Sequence, residues 1–388
     1  MIETFKNSFH RSIDRIHLNN SGLAPISKPA RDKILYWGNR FYEEGFYTDH
    51  DYVADVLHSR KSLASLIGCE ASQIAFFQST ASAVSQLAMQ FPLSDNDEVI
   101  MWECEYGSHL YPWQEAVKRK KAKLILVDPE SNLATPVEKI IEKISDKTKV
   151  IAISWVQFLT GARSDLKALS KVTKEKGIYL CVDIIQGLGL HEFHMQDFGV
   201  DAVYGGSHKW LYSPVGVGYL ALSPELIKLI KPHNVGSYTF GTCDDPTSLV
   251  CEPKVDALKY EAGSKQVLEI TALGASVDLI LKTKVSQIEK ETLRLSQKLR
   301  TQLEKNGFQI FSPYSLQNHQ TPIVNFLMEN QSKDRSVEFI KGALNSIPCN
   351  FAIRGPGVRV SPAAFNSDED IENVVHALIS LNSKINLY

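Results

Sequence analysis

Cysteine is scarce and unclustered. Six residues, Cys69, Cys104, Cys181, Cys243, Cys251 and Cys349, are scattered through 388 positions with no CxxC spacing. That argues against a disulfide framework and against a zinc site, and it fits a reducing, cytoplasmic setting. Long apolar runs are missing too. None approaches the length of a membrane span, and the opening MIETFKNSFHRSIDRIHLNN lacks the apolar centre of a secretory signal. Neither sign of charge is in excess. A formal net charge of −2 gives no reason to expect nucleic acid or an anionic membrane as partner. There is no internal repeat and no low-complexity tract. What remains is an ordinary globular composition, 44% hydrophobic and 22% charged, on a chain long enough for a large core and two unequal domains.

The most informative stretch is residues 178–220. An apolar run from Ile178 to Val182 has strand length and stops at Asp183, with Gln186 and Gly187 close behind. A second run, Ala202 to Tyr204, gives way to Gly205, Gly206, Ser207, His208, Lys209 and Trp210. Polar residues at the ends of such strands lie at the carboxyl edge of a parallel sheet, where open α/β sheets bind ligands. A lysine set among glycines and small polar groups loses its proton more easily when desolvated or near another cation. An acid 26 positions earlier can hold a heterocyclic cation. A lysine able to form a Schiff base and an aspartate facing a pyridinium nitrogen are the parts of a pyridoxal 5'-phosphate (PLP) site.

The motifs VDIIQGLG and GGSHKWLYSPVGVG resemble those of the class V aminotransferase family of fold type I PLP enzymes. That family includes cysteine desulfurases, isopenicillin N epimerase-like proteins and, more distantly, kynureninases. The likeness runs in order from LNNSG, near the N-terminus, to SPAAFN, near the C-terminus. It implies a large domain with a mostly parallel seven-stranded sheet between helices, followed by a small α+β domain. It also implies a homodimer with shared active sites. Lys209 and Asp183 are the expected catalytic pair. Gln186 is expected on the phenolic oxygen of the cofactor, and Ser207 and His208 on its phosphate. Relatives carry Ser three positions before the lysine, where this chain has Gly206.

The rest of the chain adds weaker candidates. Ile74 to Phe77 reads as a strand, followed by Ser79, Thr80 and Ala81 and a helical pattern from Val84 to Phe91. Strand, small-residue turn and helix make a phosphate cradle of unpaired N–H groups, though the same residues also serve as plain N-caps. After the strand Glu98 to Trp102, Tyr106 stands where relatives place a ring-stacking histidine. His109, nearby, reads as a surface or capping residue. Lys123 to Val127 and Val150 to Trp155 are further strands, with a helix from Thr135 to Ile144 between them. Gln157 closes the second as a candidate contact to substrate or cofactor.

Asn20, in the turn-rich LNNSG arm, is a candidate on the substrate side. Ser264, in YEAGS, is expected to reach the phosphate in a neighbouring subunit. Gln266 to Asn306 reads as one long helical region. Beyond it, Arg359 is suited to clamp an amino acid's carboxylate. Arg354 reads as a surface or pocket-rim charge, and Cys349 as a buried structural thiol. The expected division is an arm over 1–25, a PLP-binding domain over 26–265 and a linking helix with the small domain over 266–388. The expected activity is a PLP-dependent aminotransferase acting on a small amino acid. A C–S or β-lyase, a desulfurase-like enzyme and a catalytically silent binding protein of the same fold are the alternatives.

Overall fold

A computed structural model describes residues 1–10, 15–45, 49–131, 133–241, 252–313 and 320–385. Cys243 and Cys251, and Thr242 at the end of the VGSYTFGT loop, lie outside the described residues. Seven strands form the large sheet: β1 (Ile74–Phe77), β2 (Glu98–Trp102), β3 (Lys123–Val127), β4 (Thr148–Ser154), β5 (Tyr179–Asp183), β6 (Ala202–Gly206) and β7 (Gly218–Leu222). Their order across the sheet is β1-β7-β6-β5-β4-β2-β3. All neighbours are parallel except β7, which runs antiparallel to both β1 and β6. The central strands are apolar on both faces because helices cover both, the pattern expected of a buried parallel sheet. The fold is that of the fold type I PLP enzymes, as the motifs implied.

Sequence reading found six of the seven strands. It passed over β7, whose GYLAL sequence follows the glycine-rich turn after Lys209 without a break in composition. The region Ala30 to Ile67 holds two helices, α1 (Lys28–Glu44) and α2 (Asp49–Ile67). Helix α3 (Thr80–Gln90) begins earlier than its apolar pattern, because Ser79 caps it by accepting the N–H of Ser82 at 3.2 Å. Helix α4 (Gly107–Lys120) follows β2. The helix expected over Thr135 to Ile144 is only Val137–Ile141.

The expected long helix after residue 266 is broken into α5 (Val267–Thr283) and α6 (Val285–Lys305) at Lys284, whose φ of 74° no helix can continue through. The break divides labour. Ile270, Leu273, Val277 and Ile280 of α5 belong to the core of the large domain. Leu295, Leu299 and Leu303 of α6 pack into the small one. The small domain is a four-stranded antiparallel sheet of β8 (Phe308–Ile310), β9 (Val324–Met328), β10 (Ala352–Arg354) and β11 (Gly357–Val360), in the order β10-β11-β9-β8. Helices α7 (Lys333–Ser346) and α8 (Asp368–Ile385) complete it.

Two contacts, from Asn325 to Leu159 and from Thr321 to Gly161, fix this sheet against the large one, and a third ties Asn325 to the edge strand of its own sheet. Asn325 donates to the carbonyls of Leu159 at 3.1 Å and Arg354 at 2.8 Å. Thr321 donates to the carbonyl of Gly161 at 2.8 Å. Gly161 has φ 77°, and a Cβ there would lie 2.2 Å from Thr321 Oγ1, so the junction tolerates only glycine. The N-terminal arm is tied to the small domain by parallel pairing of Ile16–His17 with Cys349–Asn350 and by a bridge from Asn19 to Ser361. Among the described residues no helix is long and apolar enough to cross a membrane.

Candidate active site

The carboxyl ends of β4, β5 and β6 set three polar side chains level across the sheet. Ser154 pairs with Asp183, and Asp183 with Tyr204, in successive ladders. Ser154 and Asp183 open into a cavity of about 270 Å³. Lys209 enters it from the turn after β6, and Ser79, Thr80, Ala81 and His208 line it on the side of the α3 N-terminus. Tyr106, Gln186 and Arg359 also line it. Ser21 and Gly22 bring the N-terminal arm to its edge.

Burial tunes the two central groups in opposite senses. Asp183 is pushed above its ordinary carboxyl range by desolvation, opposed by His109, by the N–H of Ile185 at 2.9 Å and by Lys209. Lys209 is driven down to about 8 by desolvation, with Arg359 and Arg354 acting in the same direction and Asp183 against them. Its amine lies 5.7 Å from the centre of the Tyr106 ring and has no hydrogen-bond partner among the described residues. His208 is held down to about 4, chiefly by burial and next by Lys209, and so is neutral.

Arg359 is 2% exposed. Its Nη1 donates to the carbonyl of Phe158 at 2.5 Å and its Nη2 makes a long contact of 3.4 Å to Asn19 Oδ1. Its Nε has no partner. Among the described residues no carboxylate pairs with it. Burial, and then the charge of Arg354, bring it down to about 10. A buried guanidinium in this condition is costly unless an anion arrives from outside.

Four of the sequence candidates are not brought to the cavity wall. Gln157 is fully buried and donates to Glu105 at 3.0 Å. Asn20 is turned to the carbonyl of Ser361 at 2.8 Å, leaving its own Oδ1 without a partner. Ser207 gives its hydroxyl to the carbonyl of Pro214. Ser264 is exposed, outside the lining of this chain's own cavity. The amide of Gln186 is already engaged, donating to the carbonyl of Ser21 at 2.9 Å and accepting from Trp210 at 3.1 Å.

His109 needs correction. It is not on the surface: it is 0% exposed, with Nδ1 3.2 Å from Glu105 and Nε2 2.7 Å from the Tyr204 hydroxyl. Glu105 also accepts the N–H of Ser154 at 2.7 Å, and the Ser154 hydroxyl. This buried network braces the ends of β2, β4 and β6 behind the cavity. Sequence reasoning passed over it, although Glu105 and His109 stand four apart at a helix start, the spacing of an i,i+4 pair.

The residues present suit PLP. An acid and an unpaired amine share one cavity, and the first turn of an eleven-residue helix faces it. Strand β7 runs so close behind that turn that a Cβ on Gly218 would lie 2.2 Å from the carbonyl carbon of Ser79. Comparison with known proteins agrees. The profile of the class-V aminotransferases matches residues 47–374. The chain belongs to that family. Its members use PLP, and this chain is a PLP-dependent enzyme.

A probable cysteine desulfurase of Pyrococcus abyssi is 27% identical over 267 residues, 67% of this chain and 65% of that protein. The match thus spans just under two thirds of that relative's length. Among solved structures, the cysteine desulfurase CsdA of Escherichia coli superposes with a TM-score of 0.85 at 19% identity, covering 99% of both chains. The cystine C–S lyase C-DES, solved with its reaction product cysteine persulfide, gives 0.84 at 16%, covering 94% of this chain and 97% of that one. Likeness at such identities carries the fold.

Proposed function

We propose that this enzyme acts at the α-carbon of a small amino acid, with transamination as its primary reaction. The observation that carries the reading is Arg359, buried without a carboxylate on the wall of the cavity that holds Lys209. An incoming α-carboxylate supplies the missing anion through charge-assisted hydrogen bonds, and so fixes which end of the substrate meets the amine. When bound, PLP supplies an electron sink for the bonds around the α-carbon. Lys209, already poised near neutrality by burial, would hold the cofactor when resting and would move the α-proton when free. Asp183 would keep a proton on the ring nitrogen. Tyr106 would lie against the ring, and the α3 N-terminus with Ser79 and Thr80 would hold the phosphate. The cavity of about 270 Å³ serves cofactor and substrate together, which favours a short side chain.

A second reading, a C–S lyase, draws support from relatives named as desulfurases and from a structural neighbour that is a cystine lyase. Cys349 bears on how sulfur would leave. It is buried in the strand that pairs with the N-terminal arm, and burial raises its thiol to about 12. Sulfur chemistry here would run without a persulfide on that residue. A cytoplasmic homodimer completes the proposal, with Ser264 serving the neighbouring copy. Its exposed position outside its own chain's cavity is consistent with that role.

The test begins with the purified protein and PLP. A visible band should form, and borohydride should bleach it and leave the cofactor on the peptide containing Lys209. Amino acids are then screened. Conversion of the cofactor to its amine form with a keto acid marks transamination, whereas pyruvate with sulfide or thiol marks the lyase. Failure of any cofactor to attach at Lys209 would overturn both readings.

A further inference from the structure

The cavity carries more positive charge than one substrate carboxylate requires. Arg354 ends β10 and Arg359 lies on β11, adjacent strands of one antiparallel hairpin, and both line the cavity with Lys209. Arg354 is exposed, and its guanidinium donates only to the neighbouring carbonyl of Ile353, at 3.0 Å, among the described residues. At the same turn, outside the residues that line the cavity, Lys333 donates to the carbonyl of Gly355 at 2.8 Å. The one carboxylate among the lining residues is Asp183, at the sheet edge, which the proposed function assigns to the cofactor ring.

Two guanidiniums sharing a small cavity repel each other. After burial, the charge of Arg354 is the next cause that depresses Arg359. An arrangement that costs stability and leaves both cations without an acid fits a ligand with two negative groups better than one with a single group. Arg354 sits at the open rim, where a side chain extending away from the α-carbon would end. Arg359 sits deep, where an α-carboxylate would be stripped of water.

We infer that the substrate is a short amino acid bearing a second anionic group on its side chain, its α-carboxylate held by Arg359 and its side-chain anion by Arg354. This rests on the reading of the cavity as a PLP-dependent amino-acid site. A four-carbon dicarboxylic amino acid is short enough to suit a cavity of about 270 Å³. Arg354, exposed on the cavity lining, would also draw such anions in from solution.

Non-reactive analogues test this without reference to the reaction. Succinate and propionate lack an amine, so neither turns over, and calorimetry on the PLP-loaded protein gives the affinity of each. Succinate should bind about tenfold tighter or more, as one additional charge-assisted pair implies. Arg354→Gln should abolish that advantage while leaving propionate binding nearly unchanged, and Arg354→Lys should keep most of it. Arg354 is exposed, so its truncation strands no buried charge, and an unchanged thermal midpoint checks the fold.

Equal affinity of the wild type for the two acids would overturn the inference. So would an equal loss for both in Arg354→Gln, which would assign Arg354 to the α-carboxylate. In either case a visible cofactor band with intact propionate binding would leave the PLP reading standing. A protein that takes up no PLP would sink that reading, and this one with it.

Discussion

Two arginines of this chain are buried almost equally, Arg60 at 3% exposure and Arg359 at 2%, and their surroundings are opposite. Arg60 meets Glu261 through two hydrogen bonds, at 2.7 and 3.0 Å, donates to the carbonyl of Ile74 at 2.6 Å and lies over the ring of Phe76. Glu261 accepts in addition from the N–H of Phe76 at 2.7 Å and from Lys265. Both cations of that group, Arg60 and Lys265, meet the Glu261 carboxylate within the fold. Arg359 has a carbonyl, a distant amide and an unpartnered Nε. The first is a guanidinium used to hold a structure together. The second has no acid to meet it among the described residues, and the proposed function gives it a substrate carboxylate; the distinction lies in the partners and not in the burial.

The sharpest way to break that comparison is to truncate both. Arg60→Met leaves Glu261 buried with only Lys265 to compensate it, and should cost about 3–5 kcal/mol of stability in urea titrations. Arg359→Met removes an uncompensated charge, so stability should hold or rise. Its kcat/KM for an amino acid should nevertheless fall about a hundredfold or more. Equal destabilisation by the two substitutions would end the argument that Arg359 is kept for a substrate. The pH dependence should differ as well. Burial alone would raise the Glu261 carboxyl, yet Arg60 and Lys265 hold it below its ordinary 4.5. Its contribution is therefore complete above 4.5 and is lost as pH falls through the lower folded value.

A smaller effect is expected at Glu105. Glu105→Gln keeps the shape but replaces one acceptor oxygen by a donor amide, against donors from Ser154, Gln157 and His109. The loss should be about 1–3 kcal/mol. Because the network braces the strand ends around Asp183, the affinity for PLP should weaken with it. A variant that loses stability alone would make Glu105 a purely structural residue, the counterpart of Glu261.

These contrasts also explain what could be read from the sequence. Asp183 and Lys209 were legible because the first ends an apolar run and the second follows one after a few small residues, and a parallel sheet puts such ends at one edge. Arg359 was legible through the resemblance of its GVRVSPAAFN stretch and the suitability of arginine as a carboxylate clamp. The side-chain directions of Asn20 and Gln157 were not legible, since each finds a buried partner on a distant segment that local sequence does not specify, and Ser207 turns back onto Pro214 within its own turn. His109 was misread for the same reason. Its two partners are four and 95 residues away, and only the second reveals that its ring points inward. The break at Lys284 had no glycine or proline to announce it. Packing against two different cores imposes it.

Lys209 offers a finer test, of electrostatics and not of bonding. Burial brings its amine to about 8 from an ordinary 10.5. Only the deprotonated amine attacks an aldehyde, so the rate of PLP attachment to the apo-protein should rise with pH and level off once pH passes about 8. Stopped-flow absorbance across that range measures it. In Arg359→Met the plateau should begin at higher pH, because one of the charges that holds the amine down has gone. An unshifted profile would mean that Arg359 does not act on Lys209 at all.

The smallest effect is expected at Cys349, and it bears on the choice between reactions. The Cys349 sulfur is buried, 3.8 Å from the carbonyl of Asn350, within a pair that holds the N-terminal arm. Burial, and then the charge of Asp370, raise its thiol to about 12, so almost none is thiolate at neutral pH. A nucleophile for sulfur transfer needs the thiolate and a path to the substrate, and Cys349 offers neither. Cys349→Ala should therefore cost about 1 kcal/mol or less from lost packing and leave turnover of every amino acid unchanged. Should sulfide release from cysteine collapse in this variant while the thermal midpoint and the cofactor band stay put, the thiol reaches the substrate after all. Transfer of sulfur through a persulfide would then replace both the transaminase and the lyase as the reading of this site.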